Sequence, residues 1–457
     1  MEAQGAQMIF ALILAVFILI VLVLKTKIHA FVALLIAASV TGIVGGMAPS
    51  TVIETISEGF GGTLGTIGIV IGLGVMMGRV LEVSGAAERI AYTLIKWLGR
   101  KKEEWAMAVA GYFVSIPIFV DSAYVILMPI VKALSTKTGK SVVSLGIALG
   151  IGLTATHHMV PPTPGPLGVA GIYGIDVGMM MLWGLVLGVP VVISGVFYGK
   201  WIGKKIYQLP TEDGLDYVRP EKPINSLDEY YDMQEQKNLP GLLISIAPIL
   251  IPIILILMNT SIAATGAEGL AVEYITFLGN PVIAVAIGLI IAIYGLFHNV
   301  RQADAIERME EGIKNAGIIL LVTGAGGALG SVLEESGTGE VIGEQIAQTG
   351  LPAIMIPFFI ATAVRLIQGS GTVAMITGAS ISAPIVATMD VSMVFAALAA
   401  TVGSMVFSYF NDSMFWVVNR MLGIKNVKEQ LLVWSIPTTI AWGVALPLLL
   451  ILNGLFG

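Results

Sequence analysis

The chain has 457 residues, 56% of them hydrophobic and only 12% charged, with a mean hydropathy of +0.90. A soluble domain carries about 25% charged residues, so this sequence cannot cover a water-facing surface and reads as an all-α polytopic membrane protein held in a lipid bilayer. The net charge of −6 is spread thinly and points to no nucleic-acid partner, while the absence of cysteine excludes disulfides and thiol catalysis.

In chain order, Met8–Leu24 is a first span; it has no basic segment before it and no small-residue cleavage site after it, so it reads as retained. Helices are expected near 28–47 and 65–82, with an interfacial helix near 86–100. Trp105–Ser135 begins and ends at basic clusters (Lys96, Arg100, Lys101 and Lys102; Lys132, Lys137 and Lys140), so it must enter and return on one side. This is a re-entrant hairpin with its tip at Pro117–Ser122. A helix interrupted at Thr156–Pro166 and a span near 177–199 complete a first half, residues 1–200. Residues 201–238 form a polar cytoplasmic linker. The second half, 239–457, has spans near 239–259, 281–298 and 317–333, a hairpin over Leu351–Thr388 with its tip at Gln368–Thr372, an interrupted helix over 393–423 and a last span near 430–454. The count is about ten full spans, two re-entrant hairpins and two interrupted helices.

The halves are related. Val80-Leu-Glu-Val-Ser-Gly85 recurs as Val332-Leu-Glu-Glu-Ser-Gly337, 252 residues on, and 10 positions of 70–88 are identical at that offset. The Lys and Arg clusters can all be cytoplasmic only if both termini lie outside, and the matched helices then run in opposite senses. An inverted-topology repeat with a site at its interface belongs to secondary transporters. Gly74-xxx-Gly78 and Gly326-xxx-Gly330 read as helix-packing faces.

Ionisable side chains inside a membrane cost at least about 2.5–3.5 kcal/mol, and four places bear that cost. Asp121 and Ser122 sit at the first tip, where either is a natural N-cap. Pro161, Pro162, Pro164 and Pro166 break the next helix, freeing the carbonyls of residues 157–160 among Thr156, His157, His158 and Thr163. At the second tip, Gly369 and Gly371 permit a sharp turn, Ser370 and Thr372 cap the returning helix, and Gln368 adds donors. Arg365, one turn earlier, has the planar fork that suits a carboxylate, or else pairs with Asp412. Asn411, Asp412 and Ser413 occupy the second interrupted helix, where Ser408 falls at the offset position of Thr156. Arg79, Glu82 and Glu334 lie near helix ends and read as ion-paired or interfacial. A metal site on His157 and His158 is not expected, because adjacent helical positions diverge by about 100° and no further ligand lies close in sequence.

The segments T-H-H-M-V-P-P-T-P-G-P, R-L-I-Q-G-S-G-T-V-A and N-D-S, spread over essentially the whole chain, resemble the gluconate permease (GntP-type) family of bacterial secondary transporters, within the ion-transporter superfamily. The resemblance implies uptake of a small hydroxy-carboxylate (gluconate-like sugar acids, glycerate-like acids) or D-serine, usually with protons. It also implies a bacterial inner-membrane homodimer whose scaffold and transport domains move in an elevator-like way. Many members read P-P-H-P-G-P where this chain has Thr163, which weighs against carrying over gluconate, or a proton role at that position, without support from elsewhere.

The expected function is therefore a proton symporter without cofactor. Arg365 and the tip N–H groups would hold the carboxylate. Ser122, Thr163, Gln368, Ser370, Thr372 and Asn411 would bond the hydroxyls, and Asp121, Asp412, His157 or His158 would carry the proton. Sodium, coordinated by unwound carbonyls with Asn411 and Asp412, is the rival coupling ion. An anion channel would lack the repeat, and a membrane enzyme would need a third ligand beside the histidines.

Overall fold

Backbone in an apolar surrounding must satisfy its own hydrogen bonds, and a helix does so within one segment. The chain is accordingly built of helices in the expected order. The computed structural model describes residues 2–26, 28–98, 102–211, 216–220, 239–263, 265, 267–297, 302–338, 341, 351–409 and 412–457. α1 (Glu2–Leu24), α2 (Ala30–Gly45), α3 (Pro49–Val83) and α4 (Ala86–Leu98) precede a pair, α5 (Glu103–Val114) and α6 (Val120–Thr138). α7 (Val142–Met159) and α8 (Pro164–Tyr173) are two pieces of a broken helix, and α9 (Val177–Lys205) follows. Then come α10 (Leu242–Ala263), α11 (Leu270–Gly279), α12 (Pro281–Leu296) and α13 (Gln302–Glu335). A second pair, α14 (Met355–Gln368) and α15 (Gly371–Val386), leads to a second broken helix, α16 (Met393–Gly403) and α17 (Ser413–Met421). α18 (Val427–Gln430), a π-helical turn over Leu431–Ser435 and α19 (Ile436–Phe456) close the chain.

Among the described residues, four helical stretches are each long and apolar enough to cross a bilayer: Val142–Tyr173, Val177–Lys205, Leu242–Ile262 and Val427–Phe456. Of the shorter apolar helices, α14, α15 and α16 pack with them, whereas α2 packs against α1, α3 and α13. Every residue of α7 is buried, and the helix packs against α5 and α9. α3 and α13 lie along one another. Their backbones meet where a Cβ on Gly59 would stand 2.9 Å from the Gly327 carbonyl oxygen.

Three details depart from expectation. α3 and α13 begin well before positions 65 and 317, because their leading halves carry acidic residues, Glu54 and Glu58 in α3 and Asp304, Glu307, Glu310 and Glu311 in α13, that a hydrophobic window does not register. α11 lies between the spans expected near 239–259 and 281–298, and bends by 63° into α12 at Pro281. In the linker, of which 212–215 and 221–238 lie outside the described residues, Leu209–Pro210 (β1) pairs antiparallel with Tyr217–Val218 (β2), so the chain is mostly rather than wholly helical. This hairpin is docked. Tyr217 donates to the Met421 carbonyl, Gln208 Nε2 to that of Leu422 at 2.5 Å, and Arg219 meets Glu429 at 2.6 Å.

The first pair is anchored at its open end. Lys140 bridges Glu103, at 2.7 Å, and Glu104. Burial works against charge on Lys140, but the hydrogen bonds it donates to the two carboxylates outweigh it and hold the amine above its usual range.

Candidate functional site

Each of the four breaks has a local cause. Pro117 stops α5 from continuing into α6. Pro164 starts α8 at its first helical position, where a missing N–H costs nothing. Gly369 takes φ +91°, a turn that suits glycine, and the Ser370 hydroxyl accepts from Val373 N at 3.4 Å to cap α15. Asp412 caps α17, its Oδ1 accepting from Met414 N at 3.4 Å. α3 can lie against both first-half breaks because of the Gly74-xxx-Gly78 face. A Cβ on Gly74 would be 3.4 Å from the Pro162 oxygen, and one on Gly78 would strike that of Pro117.

The breaks surround one cavity of about 220 Å³. Phe119 and Asp121 line it from the first tip, Thr154, His157 and His158 from α7, and Arg365, Ser370, Gly371 and Thr372 from the second tip. Ser408, Asp412 and Ser413 line it from the second break, and Trp434 and Thr438 from the last helix. Two larger openings, of about 820 Å³ beside α11 and α12 and about 960 Å³ between α3 and α13, hold none of these groups. The smaller cavity is the candidate site, because the interrupted helices and the unpaired buried polar atoms converge there.

One wall is an ionic network. Arg365 Nη2 donates to Asp412 Oδ2 at 2.5 Å, with side chains 4% and 11% exposed. Ser408 also donates to Oδ2, and its own Oγ accepts from Trp434 Nε1 at 2.9 Å. Ser408 is held in place by Thr438 Oγ1, which accepts from its N–H at 3.1 Å, and by Ser435, which donates to its carbonyl at 2.5 Å. Arg365 Nε and Nη1 have no partner. On the facing wall Ser413 donates to Asp121 Oδ2 at 2.9 Å, and Oδ1 is unpartnered. His158 Nδ1 lies 3.1 Å from the Thr154 carbonyl, which only accepts, so Nδ1 carries the hydrogen and Nε2 presents a free lone pair. Nε2 fills the space a Cβ on Gly371 would need. His157 Nδ1 is also unpartnered. Buried polar atoms are ordinarily bonded, so this concentration of open donors and acceptors marks a place for a polar ligand.

Of the residues singled out from sequence, Asp121, His157, His158, Arg365, Ser370, Gly371, Thr372, Asp412 and Ser413 are brought together around the cavity. Four are not among its lining. Thr156 donates back to Leu153 O at 3.5 Å, Gly369 makes the turn, and Ser122 lies one residue further into α6. Thr163 donates to the carbonyls of Val160 at 2.7 Å and His157 at 3.2 Å. Two carbonyls expected to need an ion or ligand are thus satisfied by the chain itself. Gln368 ends α14, its side chain not described, and Asn411 lies outside the described residues. Asp121 is not a cap: α6 starts after Phe119 without a side-chain cap, leaving the carboxylate free to face the cavity. Thr154, Trp434 and Thr438 carry no sequence signal, being polar atoms within apolar helical runs; Ser408 was placed only by the repeat offset. Among the described residues no group of three or more His, Asp or Glu is set to hold a metal ion. Arg79 bridges Glu82 and Glu311, each at 2.5 Å, away from the cavity.

A buried polar cavity at the meeting of broken apolar helices defines an integral-membrane transporter. The fold is similar to that of MtrF of Neisseria gonorrhoeae, described as one of a class of antimetabolite efflux pumps, with TM-score 0.68 and 12% identity over 96% of this chain and 97% of that one. It is similar also to the YdaH transporter of Alcanivorax borkumensis, with TM-score 0.62 and 13% identity over 89% of each. The family model for GntP family permeases matches residues 7–455, and the chain belongs to that family. It is 52% identical to an uncharacterized permease of Haemophilus influenzae, over 98% of this chain and 93% of that one. It is 32% identical to the gluconate permease of Pseudomonas aeruginosa, over 95% of each. Membership makes it a permease, not an enzyme.

Proposed function

We propose that the protein is a proton symporter of the bacterial inner membrane that imports a small hydroxy-carboxylate, gluconate first among candidates, with glycerate-like acids and D-serine as the alternatives. The observation that carries this reading is Arg365. It is buried and tied to Asp412 through Nη2 alone, with Nε and Nη1 unpartnered beside the cavity. The Nε–H and the Nη1 hydrogens lie on different edges of the guanidinium, and each can give an anion one charge-assisted bond; the starts of α6 and α15 add helix N-termini that favour an anion. Thr372, Ser370 and the His158 Nε2 lone pair suit hydroxyls. The cavity, about 220 Å³, is smaller than the ~300–1,000 Å³ of drug-sized sites. Relatives named gluconate permease or gluconate transporter, at 32% identity, support a sugar acid.

The inverted repeat, with about ten spans and both termini outside, belongs to the same proposal. In its support, α6 and α15 begin at Val120 and Gly371, and α3 and α13 both end before left-handed glycines, Gly85 and Gly337. α8 and α17, each following a break, end before left-handed Gly174 and Gly423. An elevator-like movement of the two hairpins and broken helices against the remaining helices, in a homodimer, would carry the cavity across.

The test is uptake of labelled three- to six-carbon hydroxy acids and D-serine into proteoliposomes under a pH gradient and, separately, a sodium gradient. Saturable accumulation driven by pH alone is expected. One proton with one monoanion moves no net charge, so clamping the membrane potential should leave uptake unchanged, whereas each net charge would contribute about 2.3 kcal/mol per 100 mV. Accumulation that needs sodium would overturn the proton assignment.

A further inference from the structure

We infer that Asp121 is the group that takes the coupling proton, while Asp412 is the fixed partner of Arg365; this rests on the symport reading above. The two carboxylates face one cavity but differ in how their oxygens are occupied. Asp412 Oδ2 accepts from Arg365 Nη2 and from Ser408, and Oδ1 accepts from Met414 N. The Ser408 bond has a fixed direction. Trp434 Nε1 can only donate, so Ser408 Oγ must accept from it and spend its single hydrogen on Asp412. A proton on Asp412 would have to displace one of these donors. Asp121 has one donor, Ser413, on Oδ2, and its Oδ1 is buried and unpartnered at the cavity. A proton can be added there with no hydrogen bond broken, and it would then be a donor aimed at bound substrate.

The charge count gives the coupling its sign. The charged groups facing Asp121 are Asp412 and Arg365. From α7 comes His157, and no charged side chain of α3, α4 or α5 lines the cavity. Arg365 and Asp412 cancel. A monoanion entering against Arg365 Nε and Nη1 would therefore meet an uncompensated Asp121 carboxylate in a buried space, which disfavours binding unless that carboxylate is protonated. Anion binding and proton uptake at Asp121 thus favour one another, and the coupling is reciprocal. The histidines are poorer carriers. A proton on His158 Nε2 would face both the Arg365 guanidinium and the N-terminal end of α15. His157 Nδ1 has no carboxylate or carbonyl bonded to it. His158 instead positions a substrate hydroxyl.

The experiment uses the full chain in proteoliposomes with labelled gluconate. It measures accumulation under a pH gradient that is acid outside, proton movement with a trapped pH dye, and gluconate exchange at equal pH. Asp121→Asn keeps the shape and the Ser413 bond. Its expected result is loss of accumulation and of proton movement, with whatever exchange remains no longer varying with pH. Accumulation by Asp121→Asn, or exchange that still depends on pH as in the parent, overturns the inference. If Asp121→Asn neither exchanges nor accumulates, Asp121→Glu decides: recovered accumulation upholds the assignment and continued inactivity overturns it. Asp412→Asn should lose accumulation and exchange together; exchange that survives without proton movement would transfer the role to Asp412. A parent chain that neither exchanges nor accumulates gluconate or any acid of the panel overturns the symport reading itself, a result distinct from all of these.

Discussion

The two broken helices solve their interruptions differently. Between α7 and α8 the chain closes its own gap: prolines remove donors, and Thr163 turns back onto the carbonyls of His157 and Val160. No charged side chain takes part. Between α16 and α17 the gap is closed from outside, by Thr438 and Ser435 on the backbone of Ser408 and by Arg365 on Asp412. A self-contained neutral break is rigid and offers a ligand little to exchange. A break held by an ion pair with spare donors can trade partners when an anion arrives. On the proposed reading the first break shapes the cavity, with His158 beside it as an acceptor, and the second supplies the donors for the anion.

Removing the ion at the second break should have the largest effect. Arg365→Ala leaves Asp412 buried and unpaired, which costs about 3–5 kcal/mol, and it deletes the carboxylate donors. Uptake should fall to background, and the melting temperature in detergent should drop. The double variant Arg365→Ala/Asp412→Ala sharpens the point. It should regain much of the lost stability, because no lone charge is left, while uptake stays at background. Normal uptake by either variant would show that Arg365 only holds the fold.

At the first break the prediction is of the opposite kind. Thr163→Val keeps the shape and removes the hydroxyl, leaving two buried carbonyls without their donor at about 1–3 kcal/mol. Stability should fall measurably, but the KM for gluconate should stay near that of the parent, since Thr163 does not line the cavity. A large rise in KM with unchanged stability would place Thr163 in the binding set after all and erase the contrast between the breaks.

How much of this was legible in the sequence follows from the same contrast. The breaks themselves were legible, because proline and glycine inside an apolar run stop a helix, and an acidic residue there needs a polar neighbour. Arg365 stood out as a lone cation near a tip. What the hydroxyls do was not legible. Thr163 and Ser408 look alike as polar residues beside a break, yet one back-bonds to its own turn and the other links an aspartate to a tryptophan 26 residues further on. Sequence spacing states which residues share a helix face, not which way a hydroxyl turns. α11 was missed for a related reason: glycines and glutamates between 260 and 280 mask a ten-residue helix. Asp121 looked like a cap because its neighbours could not be seen to leave that role empty.

Trp434 offers the finest test of the comparison. Its indole N–H fixes the direction of the Ser408 hydrogen bond and so helps keep Asp412 an acceptor for Arg365. Trp434→Phe retains most of the ring packing and removes that donor, at a net cost of about 0.5–1.5 kcal/mol. Expressed on binding, this is a rise in KM for gluconate of roughly two- to tenfold, read from initial uptake rate against concentration. Ser408→Ala removes the next bond of the same chain and should raise KM by a similar amount. Because both act through one carboxylate, the double variant should lose little more than either alone. Losses that simply add would mean that Trp434 acts by packing in the last helix and not through Asp412, and the second break would then be held by the arginine alone.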